Sequence, residues 1–205
     1  GTGGMGVVHR GRDTRLGRDV ALKFLSPTTF SDPAARQRLM REAQAVSSLD
    51  DPHVCAMHAI EETDDGGFCL VMSYCAGGTL RDRLRRGLLS VEDAIRIAMQ
   101  LARGLATAHR QAIIHRDLKP ANIGFADGDT AKILDFGVAL RADDREISSV
   151  SATPGFAGTV PYAAPELLRG ADATVASDLW ALGVVLYEML VGRRPFIGGT
   201  EAALL

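Results

Sequence analysis

The residues from His115 to Asn122 read HRDLKPAN and carry three chemically distinct side chains within one short stretch. Asp117 supplies a carboxylate, Lys119 an ammonium group and Asn122 an amide. Lysine is uncommon in this chain, since only three of its 23 basic residues are Lys and 20 are Arg. Arginine is thus the default cation, and each lysine needs an explanation of its own. Two further short motifs follow this stretch, Asp135-Phe136-Gly137 and Ala164-Pro165-Glu166.

The sequence before this stretch predicts a long helix, and a second helix is predicted further along the chain, after short strand and loop segments to about Ala139 and a polar stretch at 141–158. Ser90 and Asp93 form a capping-box pattern, and apolar residues then recur at helical spacing for about 20 residues. The apolar stretch 179–192 contains Glu188 and, with 14 residues, is too short to span roughly 30 Å of hydrocarbon. It predicts a buried helix near residues 177–191.

The first 74 residues have a different pattern, in which short β-favouring runs alternate with turns. Strands are predicted at residues 7–8, 20–24, 54–60 and 68–72. The sequence Ser31-Asp32-Pro33 predicts the start of a helix of about four turns. Strand-like sequence stops before a glycine-containing segment at 75–78, which we interpret as a hinge.

These patterns predict an α+β fold with two lobes. Residues 1–74 form a small, β-rich N-lobe with one helix, and residues 75–78 form the hinge. Residues 79–205 form a larger, mainly helical C-lobe.

The composition is typical of a soluble globular protein, with 205 residues, a formal net charge of −2 and 46% apolar residues. The near-neutral charge argues against nucleic acid as the main partner. The chain has three cysteines, Cys55, Cys69 and Cys75, and no two of them form a CxxC pair. Because their number is odd and this spacing is missing, neither a disulfide framework nor a structural zinc site is predicted. A reducing, cytoplasmic environment fits this composition best.

The chain opens with a glycine-rich segment, Gly1–Val8, which matches the pattern GxGxxGxV. Glycines let backbone N–H groups approach a phosphate closely, although a plain glycine hairpin or a dinucleotide fingerprint also fits the string by itself. The dinucleotide site requires a helix to begin at the last glycine, whereas Val7 and Val8 continue as a strand. This disfavours dinucleotide binding.

Lys23 lies among strand residues that should be half buried, where an unpaired ammonium group would be costly. Glu42 lies on the same helical stripe as Leu39 and Val46, and so is predicted to point inward. We therefore expect an ion pair between Lys23 and Glu42. The alternative for Glu42 is a surface pair with Arg38, worth only about 0.3 to 0.5 kcal/mol.

The motifs together resemble those of the eukaryotic-type (Hanks-type) protein kinases, and specifically their bacterial serine/threonine branch. The string at 115–122 would arise by chance on the order of once in 10⁹ windows, and the two later motifs follow it in the family's order. The resemblance implies the two-lobed protein kinase fold, with ATP and Mg²⁺ as cofactors and Mn²⁺ as a possible substitute. It implies that Asp117 orients the acceptor hydroxyl as the catalytic base and that Asn122 and Asp135 bind the metal.

The resemblance also implies an acceptor and a nucleotide site. Lys119 matches the lysine that serine/threonine kinases use near the γ-phosphate, and Thr159 matches their substrate-site threonine. The implied nucleotide site consists of Gly1, Gly3, Gly4, Gly6, Val8, Ala21, Lys23, Met72, Ser73 and Cys75. In it, Met72 is the gatekeeper, and the backbone at Ser73 and Cys75 provides one acceptor and one donor.

Two residues depart from the family pattern of the nucleotide site. Ser73 replaces an acidic residue common at that hinge position. Gly124 lies where a bulky apolar side chain normally forms the floor of the pocket, which is expected to loosen adenine packing by about 1 to 2 kcal/mol.

Arg116 is expected to need an anion, which in the family is often a phosphorylated residue between the second and third motifs. That segment carries Ser148, Ser149, Ser151 and Thr153, of which we favour Ser151 and Thr153 as phosphorylation sites. A polar surface loop without a regulatory role is the alternative.

Several residues are predicted to be structural. His115 and Phe136 are interpreted as packing residues, and Asp178 as an anchor that is hydrogen-bonded to the catalytic loop. The remaining histidines, at positions 9, 53, 58 and 109, are predicted to be surface or packing groups. Lys132 has no predicted role beyond the surface.

The resemblance covers essentially the whole chain and predicts a serine/threonine protein kinase catalytic domain of the EC 2.7.11.1 type. Such a domain transfers the γ-phosphate of ATP to Ser or Thr hydroxyls of proteins in signal transduction, and autophosphorylates in its activation segment. Expected partners are ATP, protein substrates and a transient homodimer, with a membrane anchor only if a segment outside this chain provides one.

The family domain is longer than this chain at both ends, so the chain is expected to be truncated and to lack the last helices of the C-lobe. The arginine that pairs with Glu166 in the family is then also missing. The alternative hypothesis is therefore a catalytically inactive nucleotide-binding or signalling module.

Overall fold

A computed structural model describes residues 2–3, 6–25, 33–126, 128–136 and 160–196. These residues form two compact units. The first comprises the described residues within Gly1–Asp50 and Cys55–Tyr74, and the second those within Asp51–Val54, Cys75–Phe136 and Phe156–Leu205.

The first unit contains a five-stranded antiparallel sheet with the strand order β1-β2-β3-β5-β4. The strands are β1 (Thr2–Gly3), β2 (Gly6–Asp13), β3 (Arg18–Leu25), β4 (Met57–Glu62) and β5 (Phe68–Ser73). Gly17 closes the turn between β2 and β3 with a φ of 67°, a conformation that favours glycine. The register places Lys23, in the second half of β3, opposite Val8 on one side and Leu70 on the other.

The predicted strands at 7–8, 20–24 and 68–72 are confirmed, but the strand predicted at 54–60 begins too early. β4 starts at Met57, and Val54 instead forms an isolated parallel bridge with Ile133 in the second unit. A short β-favouring run fits either arrangement, because strand preference depends on the partner that the fold supplies.

The helix of the first unit, α1 (Pro33–Ser47), has 15 residues, which confirms the prediction of about four turns. Its buried residues are Ala35, Leu39, Ala43 and Val46. Their spacing of three and four residues places them on one face, and proline at the first helical position is favourable because its missing N–H would be unpaired there in any case.

The described part of the second unit contains four α-helices and a small antiparallel sheet. These are α2 (Leu80–Leu84), α3 (Val91–Arg110), α4 (Pro165–Leu168), α5 (Val175–Val191), β6 (Ile123–Phe125) and β7 (Ala131–Ile133). The predicted cap of α3 is confirmed, because the Ser90 hydroxyl accepts from the Asp93 N–H at 3.0 Å and donates to its carboxylate at 2.8 Å. α3 is the centre of this unit and packs against both α5 and β7.

The helix predicted near residues 177–191 is confirmed as α5, which ends at Gly192 with a φ of 74°. The prediction that it is buried holds for one face only. Ala181, Val184, Val185 and Met189 are buried, whereas Leu179 is 51% exposed. An apolar sequence does not say how many faces of a helix are covered, since that depends on the neighbours the fold provides. Within the described ranges, no helix is long and apolar enough to cross a membrane.

Candidate active site

The loop that carries the HRD motif is fixed by a buried carboxylate. Asp178, in the first turn of α5, is 1% exposed. It accepts hydrogen bonds from the main-chain N–H of His115 at 2.8 Å and of Arg116 at 2.9 Å. The predicted role of Asp178 as an anchor of this loop is thereby confirmed.

His109 contributes a third hydrogen bond to the same carboxylate. Its Nε2 lies 2.8 Å from the Asp178 Oδ2, and its side chain is only 10% exposed. The prediction that His109 is a surface or packing group missed this bond. The available signal was its position four residues after Leu105, which is on the buried face of α3.

Replacing Asp178 by Ala should destabilise the protein markedly, because each buried donor left without an acceptor costs about 1 to 3 kcal/mol. We expect a lower urea midpoint and a lower kcat, since the loop that carries Asp117 loses its anchor. Asp172→Ala, at an exposed position, is the matched control. Equal unfolding midpoints for the two variants would contradict this role of Asp178.

His115 acts as a packing and positioning residue. It is fully buried; its Nε2 lies 2.8 Å from the Leu134 carbonyl, and its Nδ1 lies 3.2 Å from the Asp117 N–H. A carbonyl only accepts and an amide N–H only donates, so this network places the proton on Nε2. The ring also makes an edge contact with Phe136, with centroids 4.9 Å apart. The prediction that both residues pack is confirmed.

The backbone is strained at two positions in the motifs. Arg116 has a φ of 72° and Asp135 a φ of 54°, values that residues with a Cβ adopt at a cost. The hydrogen bond to Asp178 helps to hold Arg116 in this conformation. The Nε of Arg116 is buried and has no hydrogen-bond partner among the residues that the structure describes. A buried unpaired donor of this kind suits an anionic partner.

Asp117, Lys119 and Asn122 meet in one cluster. The Asp117 carboxylate is 6% exposed, and its Oδ2 lies 2.8 Å from the Lys119 Nζ and 2.9 Å from the Asn122 Nδ2. The Asn122 amide also donates to the Asp117 main-chain carbonyl at 2.9 Å. A short 3-10 turn, Pro120–Asn122, brings the chain back toward Asp117. Residues of one short loop thus form a cluster in which the Lys119 ammonium group and the Asn122 amide set the orientation of the Asp117 carboxylate.

The two proposed metal ligands lie on chain segments that are bonded to each other. The Leu134 N–H, adjacent to Asp135, donates to the main-chain carbonyl of Asn122 at 2.8 Å. Because the Asn122 amide nitrogen is directed at Asp117, its amide oxygen is the atom suited to a hard cation.

The donor set fits Mg²⁺ rather than a metal enclosed by protein. Across the described residues, no group of three or more His, Cys, Asp or Glu side chains could hold a metal ion. Mg²⁺ commonly takes one or two protein oxygens and completes its shell with waters and substrate phosphates. One amide and one carboxylate, from Asn122 and Asp135, meet that requirement.

In the first unit, Lys23 is 6% exposed and Glu42 is half-buried on α1. Burial of both groups agrees with their predicted inward orientation. The ion pair between them stays a prediction.

Of the other predicted nucleotide-site residues, Ala21 and Met72 are opposite each other in β3 and β5, and Gly3 and Gly6 pair in β1 and β2. Val8 lies in β2 and is partly exposed. Several predicted site residues, Gly1, Gly4, Ser151, Thr153 and Thr159, lie outside the described residues.

Ser73, the departure from the family at the hinge, is held by two side chains. Its hydroxyl lies 3.2 Å from the His58 Nε2, and its carbonyl accepts from the Cys55 thiol at 3.4 Å. Burial lowers the pKa of His58, with a smaller contribution from Arg18, and so favours the neutral ring.

Gly124, the second departure, does not leave a void beside β6. A Cβ at this position would lie 3.0 Å from the Cys75 Cβ, 3.1 Å from its Sγ and 3.1 Å from the Leu134 Cδ1. Cys75 and Leu134 therefore occupy the space next to the glycine, and the expected effect of Gly124 on adenine packing stays a prediction.

Gly124→Ala should destabilise the protein, because overpacking a filled site costs about 1 to 3 kcal/mol. Gly183→Ala is the matched control, since a Cβ there meets nothing within 4 Å and alanine favours the helix. Thermal unfolding should show a lower Tm for the first variant and an equal or higher Tm for the second. A stabilised Gly124→Ala protein would mean that the space is open.

Comparison with known proteins agrees with this geometry. The family model for the protein kinase domain matches residues 1–204 of the chain. The chain belongs to the protein kinase family. The α+β fold is that of a kinase domain, with an antiparallel sheet in the N-lobe and a mainly helical C-lobe.

Curated relatives of this kinase domain are bacterial serine/threonine-protein kinases. The chain is 39% identical to PknB of Mycobacterium leprae and 40% identical to PknB of Mycolicibacterium smegmatis, in each case over 100% of the chain and 33% of the relative. It is 40% identical to pkn2 of Myxococcus xanthus, over 97% of the chain and 24% of that protein. The kinase domain thus spans a third or less of the length of these relatives. These similarities confirm the predicted bacterial branch and favour a kinase over the inactive module.

Proposed function

We propose that this kinase domain transfers the γ-phosphate of ATP to Ser or Thr hydroxyls of proteins. The observation that carries the proposal is the Asp117 carboxylate, buried and oriented jointly by Lys119 and Asn122. In phosphoryl transfer the protein mainly positions the reacting groups and neutralises charge. This cluster has a carboxylate for the first task and a cation for the second.

Each residue of the cluster has a proposed role. Asp117 accepts a hydrogen bond from the acceptor hydroxyl, orients its oxygen and takes its proton. Lys119 keeps the carboxylate in place and contributes positive charge where phosphate oxygens would lie. Asn122 and Asp135 hold Mg²⁺, or Mn²⁺ in its place. When bound, the nucleotide supplies the phosphoryl group, and the metal neutralises negative charge that develops during its transfer.

Binding of ATP is proposed to use the residues that the sequence predicts for the nucleotide site. Lys23, positioned by Glu42, holds the phosphates, and the glycine-rich segment covers them. Val8, Ala21, Met72 and the backbone at Ser73 and Cys75 hold the adenine. The proposed boundaries are 1–74 for the N-lobe, 75–78 for the hinge and 79–205 for the C-lobe.

The preference for Ser and Thr acceptors is supported by Lys119, by Thr159 and by the names of the relatives. We propose protein substrates and a transient homodimer that phosphorylates itself in trans. We propose a cytoplasmic location for the kinase domain, with membrane attachment only through a segment outside this chain.

Regulation is proposed to act through Arg116. Its buried Nε, which is unpaired among the described residues, is suited to a phosphate group, and a phosphorylated side chain would provide one. Ser151 and Thr153 are the proposed sites, so that phosphorylation orders the activation segment.

The double variant Ser151→Ala, Thr153→Ala should remove autoactivation, because no phosphate is then formed to pair with Arg116. The measurement is the time course of substrate phosphorylation after preincubation with ATP. The wild type should accelerate and the variant should not, whereas Ser148→Ala, Ser149→Ala serves as a matched control. Undiminished acceleration in the first double variant would remove this regulatory proposal.

The proposed activity is tested by incubating the chain with Mg²⁺ and γ-labelled ATP and mapping the product by mass spectrometry. Circular dichroism first establishes that each protein is folded. Label on Ser or Thr, absent in Asp135→Asn, is the expected result. A folded chain that incorporates no label and phosphorylates no general Ser/Thr substrate would favour the inactive module instead.

A further inference from the structure

Arginines are concentrated at two places on the surface of the second unit. Residues 81–86 read RDRLRR and contain four arginines and one aspartate. Two further arginines follow the end of α5, at positions 193 and 194. The side chains at 81, 85, 86 and 193 are exposed, and the one at 194 is half-buried. We call five of these residues the arginine cluster: Arg81, Arg85, Arg86, Arg193 and Arg194.

The fold brings the two groups of arginines together. Leu88 follows the first group by two positions, and Gly192 directly precedes the second. A Cβ at Gly192 would lie 2.5 Å from the Leu88 Cδ2, so the two turns are in contact. The arginines that follow α2 and those that follow α5 therefore share one surface.

Tyr162 gives a second, independent sign of this proximity. It is buried, and its hydroxyl donates to the Glu188 carboxylate at 2.6 Å. Burial and this hydrogen bond raise the pKa of Tyr162, whereas the charges of Arg194 and Arg81 act in the opposite direction. Both guanidinium groups thus lie close enough to the same hydroxyl to affect it.

Carboxylates on the neighbouring elements already have other partners. Asp82 accepts from the Thr79 hydroxyl at 2.6 Å and from its N–H at 3.2 Å, and so caps α2. Glu188 accepts from the tyrosine hydroxyl, and Asp129 pairs at 3.0 Å with the remaining arginine of α2. Of the ion pairs formed within the described part of the chain, one involves the cluster, between Arg85 and Asp82 at 3.8 Å. The cluster is therefore left with a net positive charge.

A surface of this kind attracts carboxylates, because several guanidinium groups together create a positive potential and each can bind a carboxylate in a bidentate manner. The chain itself contains a segment of matching charge at residues 142–155, which lies outside the described residues. It carries three acidic side chains and one arginine, followed by four hydroxyl residues. The acidic residues are Asp143, Asp144 and Glu146, and the hydroxyl residues are Ser148, Ser149, Ser151 and Thr153.

We propose that the arginine cluster is a docking surface for acidic acceptor segments, and that residues 142–155 of a second copy of this chain are one such segment. The carboxylates bind the cluster and raise the local concentration of the hydroxyl groups that follow them. Tyr162 lies three positions after Thr159, the proposed substrate-site residue, so the cluster borders the part of the chain that is proposed to receive the acceptor. This inference rests on the proposed function, because it names the class of protein that the kinase phosphorylates.

The test uses two synthetic peptides as acceptors. The acidic peptide has the sequence of residues 142–155, and the neutral peptide has Asn, Asn and Gln in place of Asp143, Asp144 and Glu146. The kcat and KM for phosphorylation of each peptide are measured, and the Kd of each labelled peptide is measured by fluorescence anisotropy.

Three double variants of the kinase are compared with the wild type, after circular dichroism has established that they are folded. Arg85→Gln with Arg86→Gln removes two charges of the cluster, and Arg85→Glu with Arg86→Glu reverses them. Arg15→Gln with Arg103→Gln is the matched control, since it removes two exposed arginines outside the cluster. Arg193→Gln is a further variant, in case the changes at 85 and 86 prevent folding.

For the wild type we expect a KM about 3- to 10-fold lower for the acidic peptide than for the neutral one, with similar kcat. The Arg85→Gln, Arg86→Gln variant should bring this ratio close to one, and Arg193→Gln should lower it, whereas the matched control should retain it. Raising the salt from about 0.05 M to about 0.5 M should shrink the ratio, because salt screens exposed charges. The charge-reversed variant should prefer the neutral peptide, a reversal that partial unfolding could not produce.

Equal KM and Kd values for the two peptides with the wild type would overturn the proposal, as would a preference that the variants at 85, 86 and 193 retain. Binding of the wild type to vesicles of anionic lipid, without discrimination between the peptides, would assign the cluster to a membrane surface and also overturn it. If the wild type phosphorylates neither peptide nor a general substrate, the proposed function fails. The Kd values still decide in that case whether the cluster binds the acidic segment.

Discussion

Asp117→Ala should lower kcat by about 10³- to 10⁴-fold while ATP binding changes little. A positioned general base alone contributes about 10²- to 10⁴-fold, and removing the Asp117 carboxylate also removes the hydrogen-bond acceptor of Lys119 and Asn122. The measurements are kcat from initial rates of substrate phosphorylation and the Kd for ATP from calorimetry in the presence of Mg²⁺.

Asp117→Asn and Asp172→Ala are informative companions to this variant. Asp117→Asn keeps the size of the side chain but loses the charge, so it should be nearly as inactive as Asp117→Ala. Asp172→Ala removes an exposed carboxylate and should retain wild-type rates. An equal loss of ATP binding and of kcat in Asp117→Ala would show that the residue contributes to nucleotide binding and that its proposed role as the base is wrong.

Lys23→Met should lower kcat by about 10²- to 10³-fold, the loss typical of removing one group that stabilises charge in the transition state. Lys23 is 6% exposed, and methionine fills a similar volume, so we expect the variant to remain folded. Glu42→Gln should act in the same direction but more weakly, because the lysine remains and only its orientation is lost. Both kcat values come from the same phosphorylation assay.

A double-mutant cycle decides whether Lys23 and Glu42 act as a pair. If they do, Glu42→Gln has little further effect in the Lys23→Met background, since the two substitutions remove the same interaction. Fully additive losses would contradict the pair. Arg38→Met tests the alternative surface partner of Glu42 and should leave kcat unchanged, because Arg38 lies exposed on α1.

Features that depend on near neighbours could be predicted from the sequence. The capped start of α3 at Ser90 and the length of α1 both follow from residues only a few positions apart. The cluster of Asp117, Lys119 and Asn122 is also local, since its members lie within one loop and a 3-10 turn. The motif that carries the family resemblance is therefore also the part of the site that folds from its own sequence.

Features that depend on distant neighbours could not be predicted in this way. Lys132 donates to a carbonyl 80 residues earlier, and His109 bonds a carboxylate 69 residues later. Val54 is β-branched, as strand residues often are, and belongs to the strand predicted at 54–60. It lies outside β4, however, and forms an isolated bridge with Ile133. In each case the side chain or backbone group has several possible partners, and packing selects one of them.

The sequence by itself therefore determined the three long helices α1, α3 and α5, most of the strands and the set of chemical groups around Asp117, because backbone preferences and short motifs act over a few residues. Only the tertiary structure decided that His109 bonds the Asp178 carboxylate and that Lys132 donates to the Pro52 carbonyl. The physical reason is that a buried hydrogen bond forms only where packing brings donor and acceptor within about 3 Å, and that proximity is a property of the whole fold.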